Sequence, residues 1–119
     1  MNIQKRRNGD VTILDLQGKL TVGDGAELLR DTVTSIVFQG DRKILLNLAG
    51  VPYMDSGGLG ELVRCSMATR KAEGAVKLLN VGGKTADLMA MTKLLNVFDT
   101  FDNEAAALAS FTGSGTGSA

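Results

Sequence analysis

The sequence contains no histidine and no tryptophan, only one cysteine, and as many acidic as basic residues. Without histidine, the Ser-His-Asp triad, the Cys-His dyad and any metal site with histidine ligands are excluded. The single cysteine, Cys65, cannot form a disulfide within the chain. Thirteen basic and thirteen acidic residues cancel, and four phenylalanines and one tyrosine offer little surface for base stacking, which argues against direct binding to nucleic acid.

Two further absences concern location. Basic residues occur in the N-terminal segment MNIQKRRNGD, but no apolar segment follows them, so the sequence predicts no signal peptide. No apolar stretch approaches the roughly 20 residues that a membrane-spanning helix requires. The 119 residues are 44% hydrophobic and 22% charged, which is typical of a soluble domain with one core. We therefore expect a single cytoplasmic domain that does not insert into membranes.

Strand and helix patterns alternate along most of the chain. A hairpin is predicted at the start, because the strand patterns of 2–7 and VTILDLQG flank Asn8-Gly9, a strong signal for a tight turn. The order β-β-α-β-α-β-α-β-α then predicts an α/β domain with a mixed, mainly parallel sheet of about five strands and about four helices. The elements predicted after the hairpin are a helix capped by Asp24, a strand at 43–48, a helix at about 57–73, a strand at 75–81, a helix at about 84–95, a strand at 97–101 and a helix capped by Asp102.

Apolar spacing predicts the buried face of each helix. Cys65 is predicted to be a small packing residue rather than a reactive thiol. The predicted buried residues are Ala26, Leu29, Val33, Ile36 and Val37 in the first helix, Leu59, Leu62, Val63 and Met67 in the second, and Leu88, Met91, Thr92 and Leu95 in the third. The opposite face of the second helix, with Glu61, Arg64, Ala68 and Lys71, is predicted to meet water or a partner.

The composition changes after residue 111. The segment TGSGTGSA, at 112–119, contains only Gly, Ser, Thr and Ala and cannot bury apolar surface. We predict one domain over 1–111, followed by a disordered tail or linker over 112–119.

The stretch YMDSGGLGEL, at 53–62, is the most informative motif. A serine behind an aspartate and before three glycines can mark a catalytic elbow, a phosphate-binding turn, a helix start or a regulatory target. A nucleophile elbow requires glycine two residues before the serine, where Met54 stands, and no histidine is available as a base. The carboxylates of Asp15, Asp24 and Asp55 lack the spacing of metal ligands. We therefore expect neither a catalytic group, nor a metal site, nor a cofactor.

A second glycine motif, GGKT at 82–85, also follows a predicted strand and opens a helix. The phosphate-binding loop requires a further glycine five residues before Gly83, but Leu78 occupies that position. A plain strand-to-helix turn is therefore favoured over a nucleotide site. Lys84 lies at the carboxyl end of a strand and is a candidate for contact with a ligand or partner.

Ser56 is predicted to cap the helix that follows it, since serine is a preferred N-cap residue. The glycines at 57, 58 and 60 do not suit a helix start, because each destabilises a helix by roughly 0.5–1 kcal/mol relative to alanine. We interpret them as clearance around the Ser56 hydroxyl, which leaves it open to the active site of another protein.

The motif VPYMDSGGLGEL resembles the signature of STAS domains, which are named for sulfate transporters and anti-sigma factor antagonists. The resemblance extends from about residue 3 to residue 111 and includes the hairpin, GKL after the second strand, and the strands ILLNL and LLNV. Bacterial anti-sigma factor antagonists are the members that it resembles most. Many members carry Ser or Thr at the position of Gly57, so this chain lacks a second hydroxyl but keeps the serine.

The resemblance implies a regulatory protein rather than an enzyme. In this family the serine after the aspartate is phosphorylated, which maps onto Ser56. The kinase is the anti-sigma factor, a serine-protein kinase of the histidine-kinase-like ATPase fold, and a phosphoserine phosphatase resets the switch. The unphosphorylated antagonist binds the anti-sigma factor and frees the sigma factor, whereas the phosphorylated antagonist releases it.

Parallel strands bring the loops that follow them to one edge of the sheet. This edge is expected to gather 21–24, 55–58 and 82–84, and we predict that the partner binds there. The predicted contact residues are Asp24, Asp55, Ser56, Gly57, Gly58, Glu61, Arg64 and Lys84. Helix capping alone is the alternative interpretation for Asp24, and a solvated helix face is the alternative for Glu61 and Arg64.

Two other functions stay open at this level. One is a cytoplasmic STAS accessory subunit of a membrane transport complex, although such subunits often lack the serine. The other is a small-molecule-binding or enzymatic domain. Phosphorylation of Ser56 by a kinase separates the antagonist from both alternatives.

Overall fold

The computed structural model describes residues 1–91 and 98–118, without the side chains of Lys84, Met91 and 112–118. The elements follow one another in the predicted order, so the predicted α/β class is confirmed, with its hairpin, mixed five-stranded sheet and four helices among the described residues. Their bounds are β1 (Asn2–Asn8), β2 (Val11–Gln17), α1 (Ala26–Phe38), β3 (Lys43–Gly50), α2 (Ser56–Lys71), β4 (Ala75–Leu79), α3 (Gly83–Met91), β5 (Thr100–Phe101) and α4 (Glu104–Ser118).

The sheet has the strand order β1-β2-β3-β4-β5. β1 pairs antiparallel with β2, and the turn between them places Asn8 opposite Val11. The strands from β2 to β5 pair in parallel. The carboxyl ends of β2, β3 and β4 therefore lie at one edge of the sheet, as predicted, and the loops that follow them start there.

Apolar side chains cover both faces of the sheet, because successive strand residues point to opposite sides. The larger core packs α1, α2 and α3 against one face, where Leu14, Leu46 and Leu78 lie. The smaller core packs α4 against the other face, where Ile13 and Leu45 lie. Register is fixed by this burial, because a shift of one residue would exchange the two sets of side chains.

The predicted buried face of α2 is partly wrong. Leu59 and Leu62 are buried and Val63 is partly buried, but Met67 is exposed. Cys65 lies in the core, as its predicted packing role requires, and the unpredicted Thr69 is also buried. The Thr69 hydroxyl donates to the carbonyl of Cys65 at 2.8 Å, which allows a polar residue to continue the buried stripe.

The buried stripe predicted for α3 is tested only in part. Leu88 is partly buried, Met89, which the prediction did not include, is fully buried, and the side chain of Met91, together with Thr92 and Leu95, lies outside the described residues. β5 is shorter than the strand predicted at 97–101, whose first residue is also outside the description. The stripe predicted for α1 is confirmed, with Ala26, Leu29, Val33 and Ile36 buried and Val37 partly buried.

α4 begins one residue later than predicted. Asn103 rather than Asp102 caps it, since the Asn103 side chain accepts the backbone N–H of Ala106 at 2.9 Å. α4 is assigned as far as Ser118, and the disordered tail or linker expected over 112–119 stays a prediction. Among the described residues, no helix combines the length and apolar character needed to cross a membrane.

Arg6 joins the hairpin to α4. Its guanidinium donates to both carboxylate oxygens of Asp15, at 2.6 and 3.0 Å, and to Glu104 at 2.8 Å. These charge-assisted hydrogen bonds hold the pKa of Asp15 and of Glu104 below the ordinary carboxyl values. The Asn47 side chain also donates to Asp15, at 2.8 Å, so β3 is included in the same polar cluster.

We predict that Arg6→Gln lowers the free energy of unfolding by about 1 kcal/mol at pH 7, a small value because Arg6 is partly exposed. The depressed pKa of Asp15 and of Glu104 means that their contribution is present above the unfolded carboxyl pKa of about 4 and is lost as pH falls through the folded values. Urea unfolding at pH 7 and pH 3 measures both effects.

The control is Arg70→Gln, since Arg70 is exposed and forms no ion pair within the described part of the chain. Arg6→Gln should lose less stability than the parent chain between pH 7 and pH 3, whereas Arg70→Gln should follow the parent. An identical loss in all three proteins would contradict the role given to Arg6.

Candidate functional site

Ser56 is the first residue of α2 at the carboxyl edge of the sheet, and its side chain is exposed. The prediction that Ser56 is the N-cap is wrong by one residue. Asp55 has the extended backbone that an N-cap needs, and its carboxylate accepts the N–H of Gly58 at 2.8 Å. The Ser56 hydroxyl makes no hydrogen bond to any described residue, so it is free to meet another molecule.

The segment 18–25, called here the β2–α1 loop, lies directly against the start of α2. The N–H of Leu20 donates to the carbonyl of Tyr53 at 3.0 Å, so pairing continues beyond the end of β2. Val22 packs over Gly57 and is nevertheless 73% exposed. The predicted meeting of this loop with the start of α2 is therefore confirmed. Val22 adds an exposed apolar side chain beside Ser56 that no sequence motif marks.

Asp24 does not cap α1, contrary to the prediction. The N-cap is Gly25, whose φ of 96° favours glycine, and no side chain caps the helix. Thr21 and Asp24 exchange backbone hydrogen bonds of 2.8 and 3.0 Å in a tight turn, which moves the helix start by one residue. The exposed Asp24 carboxylate lies 3.7 Å from the ammonium of Met1 and remains at the rim of the site.

Gly58 is required by packing, because a Cβ there would overlap the backbone carbonyl of Leu20. A Cβ at Gly57 would meet the side chain of the exposed Val22, which has room to move. Gly60 differs, because the nearest atom to its Cβ position is a guanidinium nitrogen of Arg64, at 3.8 Å. The interpretation of the glycines as clearance is therefore wrong for the buried Gly58, which forms the contact between loop and helix, and stays a prediction for Gly60.

Glu61 lies in the groove between α1 and α2 rather than on a solvated face. Its exposed fraction is 2%, so the predicted position in solvent is wrong. The carboxylate lies 3.7 Å from Arg30 and 3.6 Å from Arg64. Because α1 covers this side of α2, the two cations help to offset the lost hydration of the buried charge. Glu61 therefore orients Arg64 and does not reach the surface itself.

A cavity of about 240 Å³ lies between α1 and α2, lined in part by this ion cluster. Val33 and Val37 form apolar walls, and Cys65 lies among them. Burial, together with the Glu61 carboxylate, raises the pKa of the Cys65 thiol to about 12. The thiol is therefore protonated at neutral pH and unsuited to nucleophilic chemistry, in line with its predicted packing role.

The two predicted cations occupy different elements. Arg64 lies on α2, and its side chain is 66% exposed. Lys84 lies in the first turn of α3, and its side chain is outside the described atoms. The carbonyl of Gly82 accepts the N–H of Ala86 at 2.8 Å, as in an ordinary helix start, so the strand-to-helix turn predicted for GGKT is confirmed.

The surroundings of Ser56 favour addition of a group to its hydroxyl by another protein over catalysis by this chain. No base contacts the Ser56 hydroxyl within the part of the chain that the structure describes. At a helix N-terminus the first backbone N–H groups lack helical partners and the dipole is positive, so added negative charge is stabilised. Ser56 is therefore an exposed hydroxyl in a setting that tolerates a phosphate.

Comparisons with known proteins agree with the geometry. The STAS domain family matches residues 2–107 of the chain. The anti-sigma-B factor antagonist of Bacillus subtilis is 30% identical over 100 residues, which are 83% of this chain and 89% of that protein. These matches confirm the resemblance carried by the YMDSGGLGEL motif.

Solved structures show the same fold. An anti-sigma factor antagonist (STAS) domain protein from Planctomyces limnophilus aligns with a TM-score of 0.76 at 23% identity, over 90% of this chain and 96% of that one. Unphosphorylated SpoIIAA, an anti-sigma factor antagonist, aligns with a TM-score of 0.70 at 22% identity, over 94% and 99%. SpoIIAA, a Bacillus cell fate determinant, also aligns in its phosphorylated form, with a TM-score of 0.72 at 20% identity, over 92% and 99%.

We predict opposite effects of alanine at two neighbouring glycines. Gly58→Ala should lower the free energy of unfolding by about 2–3 kcal/mol, because the new Cβ overlaps the backbone carbonyl of Leu20. Gly60→Ala should leave stability unchanged or raise it by up to about 1 kcal/mol, because its Cβ has room and alanine favours the helix. Urea unfolding of both variants measures the difference. Equal effects at the two positions would contradict the described contact between loop and helix.

Proposed function

The chain belongs to the STAS domain family, and we propose that it is an anti-sigma factor antagonist that exchanges partners when Ser56 is phosphorylated. The observation that carries the proposal is the exposed Ser56 hydroxyl at the first turn of α2, beside the exposed Val22. The anti-sigma-B factor antagonist of Bacillus subtilis supports the function, and the two solved forms of SpoIIAA support control by phosphorylation.

The proposed partner surface comprises the β2–α1 loop and the first turns of α2. Val22 and Tyr53 supply exposed apolar area in the two segments that meet at the start of α2. Arg64 and Asp24 place charges of both signs at the rim. Protein interfaces combine such features, since apolar and aromatic anchors dominate the affinity and charged groups around them guide association.

The remaining predicted contact residues take different roles in this surface. Asp55 holds the helix start, and Gly57 receives Val22. Gly58 and Glu61 are buried and act indirectly. Gly58 fixes the position of the loop, and Glu61 orients Arg64. Lys84 stays a proposed contact from the first turn of α3, at the same sheet edge.

Phosphorylation should change the interface more than the fold. A kinase transfers the γ-phosphoryl group of ATP to Ser56 Oγ: the new P–O bond replaces the bond between the γ-phosphorus and ADP, and ADP and the hydroxyl proton are released. The product carries about −1.5 to −2 additional charge and three acceptor oxygens. The helix N-terminus stabilises this charge in the free protein. A partner that packs on Val22 would have to remove water from this phosphate charge. A loss of about 2.8 kcal/mol of binding free energy already weakens binding a hundredfold.

The switch requires two partner activities, and we assign neither to the chain itself. The anti-sigma factor is the proposed serine kinase, and a phosphoserine phosphatase restores the binding form. Both enzymes need access to Ser56, which its exposed position provides. We place this exchange in the cytoplasm, without direct contact between the chain and nucleic acid.

We predict that incubation with ATP and the anti-sigma factor kinases of the host adds a phosphate to Ser56, as mapped by mass spectrometry. Ser56→Ala should bind the kinase with an affinity near that of the unphosphorylated chain. Ser56→Asp should bind at least about tenfold more weakly, because it places a charge in the interface. Calorimetric titration measures both affinities.

Ser35→Asp is the matched control, since Ser35 is an exposed serine on α1 away from the loop contact. It should bind as the parent chain does. Phosphate on a different serine, or equal affinity of Ser56→Ala and Ser56→Asp, would overturn the proposal. Co-purification of an unphosphorylated chain with a membrane ATPase would favour the transport-subunit function instead.

A further inference from the structure

Ser56, Gly60 and Arg64 occupy positions i, i+4 and i+8 of α2 and therefore share one face of the helix. Long side chains in a helix lean toward its N-terminus, and that of Arg64 does so. Its Nη2 and Nη1 atoms lie 3.8 and 4.0 Å from the position that a Cβ of Gly60 would occupy. The guanidinium therefore already covers the turn between its own Cα and Ser56.

The separation between the Arg64 guanidinium and Ser56 is short. One helical step of four residues is about 6 Å along the axis, so the Arg64 guanidinium is about one turn from Ser56. No side chain stands between them on this face, because Gly60 is the intervening residue. A phosphate on Ser56 would project into this gap, and the exposed Arg64 side chain is free to rotate toward it.

The present partner of Arg64 does not prevent this movement. The Arg64 guanidinium lies 3.6 Å from the Glu61 carboxylate, a separation longer than a hydrogen bond. Glu61 also has Arg30 at 3.7 Å and the Cys65 thiol at 3.9 Å. The buried carboxylate would therefore keep one cation after Arg64 moved, which avoids the large cost of an unpaired buried charge.

We propose that Arg64 is the internal receptor for the phosphate on Ser56, an inference that rests on the proposed phosphorylation. The guanidinium leaves Glu61, passes over Gly60 and forms a charge-assisted contact with the phosphate, while the helix N-terminus binds it from the other side. Phosphorylation then weakens the partner surface in two ways, because it adds negative charge at Ser56 and withdraws the exposed guanidinium of Arg64 from the partner.

Other charged groups surround this face without replacing Arg64. Asp55 uses its carboxylate to cap α2, and Asp24 on the facing loop pairs with the N-terminal ammonium. The remaining charged residues on the neighbouring elements are Lys19 on the β2–α1 loop, Glu27, Arg30 and Asp31 on α1, Glu61, Arg70 and Lys71 on α2, and Lys84 and Asp87 on α3. Of all these residues, only Arg64 has described side-chain atoms within 4 Å of the position that a Cβ of Gly60 would occupy.

The test uses the full chain with phosphoserine incorporated at position 56 during translation, so that no kinase is required. Phosphorus NMR titration then gives the second pKa of the phosphate, which is ordinarily about 6. A nearby guanidinium favours the dianion and lowers this pKa. Arg64→Ala should therefore raise the phosphate pKa by about half a pH unit or more relative to the parent sequence.

Arg70→Ala is the matched control, because it removes the same charge from an exposed position in the last turn of α2. It should leave the phosphate pKa within about 0.1 pH unit of the parent value. An unchanged pKa in Arg64→Ala, or equal shifts in both variants, would overturn the role of Arg64. Neither result touches the proposed function, which is tested separately by kinase labelling and by binding of the Ser56 variants.

Discussion

The close contact between the β2–α1 loop and the first turn of α2 determines where the rest of the site lies. The backbone carbonyl of Leu20 meets Gly58 at a distance that no Cβ would permit, and the N–H of Leu20 bonds to Tyr53. Parallel β2 and β3 deliver both segments to one sheet edge. The contact then fixes Val22 beside Ser56, so an apolar anchor and an exposed hydroxyl share one small surface.

Two sources of charge lie along α2 and have different roles. The buried Glu61 carboxylate holds the guanidinium groups of Arg30 and Arg64 at the groove between the helices. The helix N-terminus contributes a positive end at Ser56 without any cationic side chain. We therefore expect a phosphate at Ser56 to leave the domain folded. The contacts of Arg6 that tie the hairpin to α4 lie at other elements, so a change at Ser56 is expected to alter a surface and not the fold.

Much of this architecture could be predicted from sequence, because strand and helix periodicities depend on local spacing. Helix starts were harder, since the residue that takes the extended N-cap backbone is set by the preceding turn. In α2 the observed N-cap is Asp55 and not the predicted Ser56, and in α1 it is Gly25 and not the predicted Asp24. The burial of Glu61 depends on where α1 crosses α2, which no local pattern contains. The motif thus led to the candidate site, whereas packing determines which of its glycines and charged side chains are buried.

Amide chemical-shift mapping during titration with the anti-sigma factor kinase tests the central claim most directly. The account predicts that the largest shifts fall within 20–25 and 53–64, and that they disappear when position 56 carries phosphoserine. Shifts centred on α4, or the same map with and without the phosphate, would contradict a phosphorylation-controlled partner surface at Ser56.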